Sequence, residues 1–182
     1  MKRYFRLALV LVAMVLLPLS AYAQKAGQIV FSSQMIDPAN PTNLTKSFKA
    51  GDAIYSVAYV QDNFLKLCNS PNAKKLETGF FIYEVKPPLY SYQEPQESQI
   101  AYSTVWLSGG TMQNKSLPLD IAPKPDKMTA YGNPEITYTK FGKNFEGPVG
   151  YTEALAKLES GKHTLRVRYQ CNYQVVAEGE IT

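Results

Sequence analysis

The chain has 182 residues, of which 45% are hydrophobic and 12% aromatic, and it carries 19 Lys and Arg against 15 Asp and Glu. Three of the basic residues, Lys2, Arg3 and Arg6, lie within residues 1–23, which contain no acid, so removing them from 19 leaves 16 against 15 and a net charge of +1 for the rest. This balance argues against nucleic-acid binding, which needs a concentrated cationic surface.

The N-terminus has the pattern of a bacterial signal peptide. The three basic residues precede an uninterrupted apolar run over 7–17, and small residues, Ala21 and Ala23, follow Pro18. Such a run rises about 16 Å as a helix, against about 30 Å of hydrocarbon in a bilayer, so it is too short for an anchor. We predict cleavage after residue 23, a single domain over 24–182 with no integral membrane segment, and a location in the periplasm, on the outer-membrane surface or outside the cell.

Short apolar segments separated by clusters of Pro, Gly and Asn follow along the chain. The candidate strands before residue 142 are "QIVFSS", "DAIYSVAYV", "ETGFFIYEV", "QIAYSTVWLS", "LPLDI" and "EITYTKF". The second and third are largely apolar or aromatic on both faces, which is typical of strands covered on both sides or of strands whose tyrosines face solvent. Strands do not alternate with helices, so a parallel α/β sheet is not expected.

One connector between these strands is long. Residues 86–97, "KPPLYSYQEPQE", contain three prolines and two tyrosines, Tyr90 and Tyr92. Prolines fix φ and lower the entropy lost when a loop becomes ordered. Tyrosine offers a rigid ring and a hydroxyl group to a partner. Tyr90 and Tyr92 are therefore candidates for contact with a ligand or partner. The alternative, which we prefer at this point, is a stiff connector whose tyrosines fold back on the sheet edge.

The C-terminal third contains the one candidate helix and the clearest strand. Thr152 can cap a helix over 152–159, and Gly161 can end it. The segment "HTLRVRYQC" then alternates between apolar and polar residues, which predicts a half-buried strand, and "YQVVAEGEIT" returns as its hairpin partner. Together the segments predict an all-β fold: an antiparallel β-sandwich, immunoglobulin-like or jelly-roll-like, with seven to nine strands and one short helix near 152–159.

The chain has two cysteines, Cys68 and Cys171. Export would place them in an oxidising compartment, where a single intramolecular pairing is available, and Cys171 lies on the apolar side of its strand. We therefore predict a Cys68–Cys171 disulfide. Two buried free thiols or a redox pair are the alternatives, although no C-x-x-C motif is present.

Residue types that carry catalysis are scarce. His163 is the only histidine, and no G-x-S-x-G motif marks a nucleophile, so we expect a histidine at a strand end rather than a catalytic base. Zinc, calcium and phosphate-binding motifs are missing as well, so we expect no metal and no cofactor. A hydrolase would need two convergent carboxylates. The candidates are Glu84, Glu94, Glu97 and Asp120.

The sequence therefore predicts an exported, non-enzymatic β-sandwich protein of the bacterial envelope, which acts as a binding or structural module. An envelope protein or a polysaccharide is the expected kind of partner. The first alternative is a carrier that holds a sugar or a lipid, which the aromatic content favours. The second alternative is a carboxylate-based hydrolase.

Overall fold

A computed structural model of the chain describes residues 25–127, 133–140, 143–144 and 147–182. The predicted signal peptide, residues 1–23, lies outside the described residues. The described strands are β1 Gln28–Ser32, β2 Tyr55–Tyr59, β3 Lys75–Lys86, β4 Gln96–Ser108, β5 Ser116–Pro118, β6 Ile136–Lys140, β7 Lys143–Asn144, β8 Thr164–Cys171 and β9 Gln174–Ile181. The helices are α1 Phe64–Leu67 and α2 Gly147–Leu155, with single 3₁₀ turns at Gly109–Gln113 and Pro125–Lys127.

All nine strands belong to one curled sheet in the order β5-β2-β1-β9-β8-β3-β4-β6-β7. Neighbouring strands are antiparallel, except that β1 runs parallel to β9 where Gln28 pairs with Glu178. The predicted all-β class and the strand number of seven to nine are confirmed. The two-sheet sandwich, immunoglobulin-like or jelly-roll-like, is not confirmed, because the described strands form a single hydrogen-bonded sheet.

The centre of the sheet is the long β3–β4 hairpin with β8 alongside β3. Residues in β8 alternate between buried and half-buried positions, because successive side chains of a strand point to opposite faces. Leu165, Val167, Tyr169 and Cys171 face the core, as the alternation of "HTLRVRYQC" predicts. Arg166 and Arg168 therefore lie on the opposite face, which we call the outer face of the sheet.

The main core fills the inside of the curl, and a smaller cluster lies on the other side of β2. The large side chains of the main core that are almost fully buried include Phe31, Phe64, Phe80, Ile82, Leu107 and Tyr169. Ile36 covers Tyr55, Val57 and Tyr59 in the smaller cluster. Since β2 has apolar neighbours on both faces, all five of its residues are buried, which accounts for its largely apolar sequence.

The C-terminal helix begins earlier than the sequence predicts. The prediction of 152–159 capped by Thr152 is wrong at both ends, because α2 covers Gly147–Leu155. Thr152 lies inside the helix, where its hydroxyl donates to the carbonyl of Pro148 at 2.8 Å. Pro148 is tolerated because backbone N–H groups in the first turn have no intrahelical partner. None of the described helices is long and apolar enough to cross a bilayer.

The structure brings Cys68 and Cys171 to disulfide distance, with their Cα atoms 5.4 Å apart, as predicted. Cys68 directly follows α1, and Cys171 ends β8. The β8–β9 hairpin then turns through Asn172 and Tyr173, with φ angles of 49° and 63°, and Cys171 pairs with Gln174.

Candidate functional site

The tip of the β3–β4 hairpin carries an exposed aromatic pair. Residues 87–95 connect the two strands, so Lys86, Gln96 and Glu97 of the predicted connector belong to the strands instead. Tyr90 and Tyr92 are 58% and 81% exposed, and their rings stack with centroids 5.5 Å apart and planes 5° apart. With Leu89, which is 82% exposed, they form what we call the tyrosine tip.

Two local contacts are found in the tyrosine tip. The amide of Gln93 donates to the carbonyl of Tyr90 at 3.0 Å, which closes a turn around the pair. The two rings contact each other and project into solvent, in contrast to the alternative in which they fold back on the sheet. Clustered exposed apolar side chains of this kind often mark interaction sites.

A β-bulge determines which way the base of the hairpin faces. Ile82 pairs with Ala101 but Tyr83 pairs with Gln99, so Ile100 is an extra residue in β4. Ala101 and the odd-numbered residues after it in β4 face the core. Without the extra residue Glu97 would face the core too. The bulge turns Glu97 to the outer face instead.

On the outer face Glu97 joins two arginines and two further glutamates, which we call the Arg–Glu network. Arg168 donates to the Glu97 carboxylate through both terminal nitrogens, at 2.6 and 3.0 Å, and Arg166 donates to it as well. Arg166 Nε also donates to Glu180 at 2.8 Å, and Arg168 Nε donates to Glu178 at 2.5 Å. The network links β4, β8 and β9 across the outer face of β3.

The electrostatics of the Arg–Glu network leave neither arginine unpaired. Burial of the Glu97 carboxyl opposes its ionisation, but the hydrogen bond from Arg168 and the charges of both guanidinium groups hold the pKa of Glu97 below its usual range. Bidentate arginine–carboxylate pairs of this geometry are the stronger kind of surface ion pair. We therefore assign the network to holding the base of the hairpin and not to binding an anionic ligand.

An aromatic row lies beside the Arg–Glu network. Phe81 stacks with Tyr102 at 5.7 Å and with Tyr83 at 6.2 Å, and the guanidinium of Arg168 lies 5.1 Å from the ring centre of Tyr83. The Phe81 ring lies over Gly79, where a Cβ atom would approach it to 2.5 Å. Glycine thus allows the ring to lie flat against the sheet, and the half-buried rings extend the apolar surface of the outer face.

His163 is engaged in a structural contact. Its Nδ1 lies 2.7 Å from Glu84 and its Nε2 lies 2.8 Å from the carbonyl oxygen of Glu159. Two acceptors suit the doubly protonated imidazolium, and the hydrogen bond with Glu84 raises the pKa of His163. The same hydrogen bond lowers the pKa of Glu84. His163 therefore links the loop that follows α2 to β3, in agreement with the expected histidine at a strand end.

The candidate carboxylates do not assemble into one obvious pair. Glu84 pairs with core-facing Leu165 and lies on the inner face, whereas Glu97 lies on the outer face. Glu94 is exposed in the hairpin loop, and Asp120 is buried. Among the described residues, no three His, Cys, Asp or Glu side chains lie close enough to hold a metal ion.

Part of this site could have been found in the sequence. Once the β8–β9 hairpin is assumed, the charge pattern of "RVR" against "EGE" places Arg166 and Arg168 opposite Glu180 and Glu178. Glu97 could not be added to them, because its face depends on the bulge at Ile100. Comparisons with protein-family models, curated proteins and solved structures find no match to this chain.

Proposed function

We propose that the chain is an exported, non-enzymatic binding module of the bacterial envelope that contacts its partner through the tyrosine tip. The observation that carries the proposal is the stacked, exposed Tyr90–Tyr92 pair next to exposed Leu89. Rigid tyrosines supply large contact area at low entropic cost, and aromatic anchors often dominate interface energies.

The surroundings of the tyrosine tip support this function. The long strands β3 and β4 carry the loop, and the Arg–Glu network fixes the start of β4 to β8 and β9. The prolines at 87, 88 and 95 limit the conformations of the loop. A contact surface that is ordered before binding loses less entropy when its partner binds.

Export is supported by two features of the chain. The first is the basic-then-apolar segment at residues 1–23, which resembles a bacterial signal peptide. The second is the Cys68–Cys171 pair at disulfide distance, since disulfides persist in oxidising compartments such as the periplasm. The non-enzymatic assignment is supported by His163, both of whose ring nitrogens are already engaged. Periplasm, outer-membrane surface and cell exterior are the proposed locations.

The test is a quantitative capture experiment with the exported protein, whose mass should correspond to a chain that begins at Gln24. Envelope extract is passed over wild-type protein and over a Tyr90→Ala/Tyr92→Ala double variant. We expect proteins or polysaccharides retained by the wild type to be lost with the double variant. Its melting temperature should be almost unchanged, because both side chains are exposed.

A matched control is Tyr173→Ala, since Tyr173 is 99% exposed at the tip of a different hairpin. This variant should retain whatever the wild type retains. Equal capture by all three proteins, or no specific capture by the wild type, would overturn the assignment to the tyrosine tip. A large fall in the melting temperature of the double variant would show that the tyrosines stabilise the fold instead.

A further inference from the structure

The tyrosine tip presents one flat aromatic face to solvent. Tyr90 and Tyr92 lie against each other, with ring centroids 5.5 Å apart and planes 5° apart, so one face of each ring is covered by its neighbour. Tyr92 is 81% exposed, which leaves its other face open. Because the Tyr90 ring supports the Tyr92 ring from behind, the orientation of this open face is set before any ligand binds.

Hydrogen-bonding side chains flank the open ring of Tyr92. Ser91 and Gln93 are its neighbours in the chain, and both are exposed, as is Gln96 at the start of β4. A hydroxyl group and two carboxamide groups can both donate and accept hydrogen bonds, and so can the Tyr92 hydroxyl. The tip therefore combines an aromatic face with groups that match the hydroxyls of a ligand.

The charge pattern of the tip suits an uncharged ligand. No charged side chain lies within residues 87–93. The charges on either side, Lys86 and Glu94, have opposite signs, and both residues are exposed. An anionic or a cationic ligand would therefore meet no net opposite charge at the tip.

The small size of the tip favours a ligand with many repeated units. The loop that carries it, residues 87–95, has nine residues, whereas a stable protein interface uses about 20–30 residues on each side. A bilayer binds even one myristoyl chain only marginally, and Leu89 is the single aliphatic side chain that the tip could insert. A polymer suits so small a site, because its repeated units keep the ligand near the tip after each release.

We propose that the tyrosine tip binds an uncharged polysaccharide, with a pyranose ring stacked on the open face of Tyr92. The inference rests on the proposed function, because it names the class of partner for the same surface. Aromatic rings carry negative charge on their faces, and a pyranose ring presents C–H groups with partial positive charge. The stacked rings form weak C–H···π contacts, while Ser91 and Gln93 bind the sugar hydroxyls.

The test uses the exported protein and the polysaccharide fraction of envelope extract, freed of protein by protease digestion and of lipid by solvent extraction. Binding is measured as retention on beads that carry this fraction. We expect the wild type to be retained equally at about 0.05 M and about 0.5 M salt, because salt does not screen contacts with an uncharged ligand. Periodate, which cleaves vicinal diols of sugars, should abolish retention, and Tyr90→Ala/Tyr92→Ala should not be retained.

Ring replacements separate stacking from general apolar contact. Tyr90→Phe/Tyr92→Phe keeps both rings and should retain most of the binding. Tyr90→Leu/Tyr92→Leu keeps apolar bulk but loses the aromatic faces, and should weaken binding by about tenfold. Leu89→Ala is the matched control, since Leu89 is 82% exposed and Tyr92 is 81% exposed, and it should bind like the wild type. Because all three side chains are exposed, the variants should melt close to the wild type.

Four outcomes would overturn the proposal. The first is no retention of the wild type on the polysaccharide fraction. If untreated extract then still distinguishes the wild type from Tyr90→Ala/Tyr92→Ala, and protease treatment of the extract removes that difference, the partner is a protein and the proposed function stands. The second is retention only on vesicles of the extracted envelope lipids, which would assign the tip to a membrane surface. The third is binding that falls steeply with salt, as for a charged polymer. The fourth is equal binding by the Leu and Phe double variants, because apolar bulk alone would then hold the ligand.

Discussion

At the scale of single residues, Tyr173 has an unusual conformation. The two-residue turn of the β8–β9 hairpin has positive φ at both Asn172 and Tyr173, as a type I′ turn requires. Asparagine tolerates this region, but a bulky aromatic residue rarely adopts it. The Asn172 side chain donates to the carbonyl of Cys68 at 2.6 Å, so the turn is anchored next to the disulfide while the Tyr173 side chain remains fully exposed.

Replacing Tyr173 by glycine should therefore stabilise the protein. Glycine has no Cβ and removes a conformational penalty of about 1 kcal/mol or slightly more, and the exposed ring has no packing to lose. The expected rise in melting temperature is about 2–4 °C for a domain of this size, measured by thermal denaturation. Tyr173→Ala is the control, because it deletes the ring but keeps the Cβ, and should melt like the wild type. A glycine variant no more stable than the alanine variant would contradict the strain argument.

At the scale of secondary-structure elements, the sequence predicts most strands but not that the described strands form a single sheet. The strict alternation in β8 fixes its buried face, and Pro, Gly and Asn clusters mark most strand ends. The sequence predicts the start of α2 too late, because Thr152 resembles an N-cap residue. The helix begins earlier, with Pro148 in its first turn. The outward orientation of Glu97 depends on one extra residue, Ile100, and a single-residue shift reverses every side chain that follows.

The contact between His163, just before β8, and Glu84 of β3 should make stability depend on pH. The pKa of His163 is raised above its usual value of 6.5, so the stabilisation is complete below that value and is lost as pH rises through the folded-state pKa. The pKa of Glu84 is lowered from its usual 4.5, so its share is present above that value and is lost as pH falls through its folded-state pKa. The His163–Glu84 pair is therefore most stabilising between pH 4.5 and pH 6.5.

The measurement is a set of thermal melts of wild type and His163→Gln at about pH 5.5, below the usual histidine pKa, and at about pH 8.5, well above it. The wild type should exceed the variant by more at the lower pH. Lys86 and Glu159 also face the pair. Glu84→Gln serves as the control and should reduce this pH dependence, because the hydrogen bond with the Glu159 carbonyl remains. A difference between wild type and His163→Gln that is the same at both pH values would show that the histidine acts only through packing.

At the scale of the whole molecule, the Cys68–Cys171 link encloses most of the sheet. The sequence separation is 103 residues, and the enclosed stretch contains β3 to β7 and α2 together with nearly all of β8. Around the link, Phe64 of α1 packs edge-on against Tyr169 at 5.8 Å. The Tyr169 hydroxyl donates to Thr78 at 2.7 Å, and burial raises the pKa of Tyr169. The corner between α1 and β8 is thus held by packing contacts in addition to the disulfide.

Loss of this cross-link should lower the stability of the whole sheet rather than that of one corner. For an enclosed loop of about 100 residues the chain-entropy model gives about 4.7 kcal/mol, and removal of natural disulfides typically costs about 2–5 kcal/mol. We expect a loss in that range for Cys68→Ala/Cys171→Ala, measured by urea denaturation.

The variant also leaves small cavities, so the oxidised and reduced wild type are compared as well, since reduction keeps both sulfur atoms. If the disulfide stabilises the protein by restricting the unfolded chain, reduction should lower the free energy of unfolding of the wild type by most of the same amount. Unfolding should remain one cooperative transition. If instead the reduced protein unfolds at the same urea concentration as the oxidised protein, the packing around Phe64 and Tyr169 holds this corner and the cross-link contributes little.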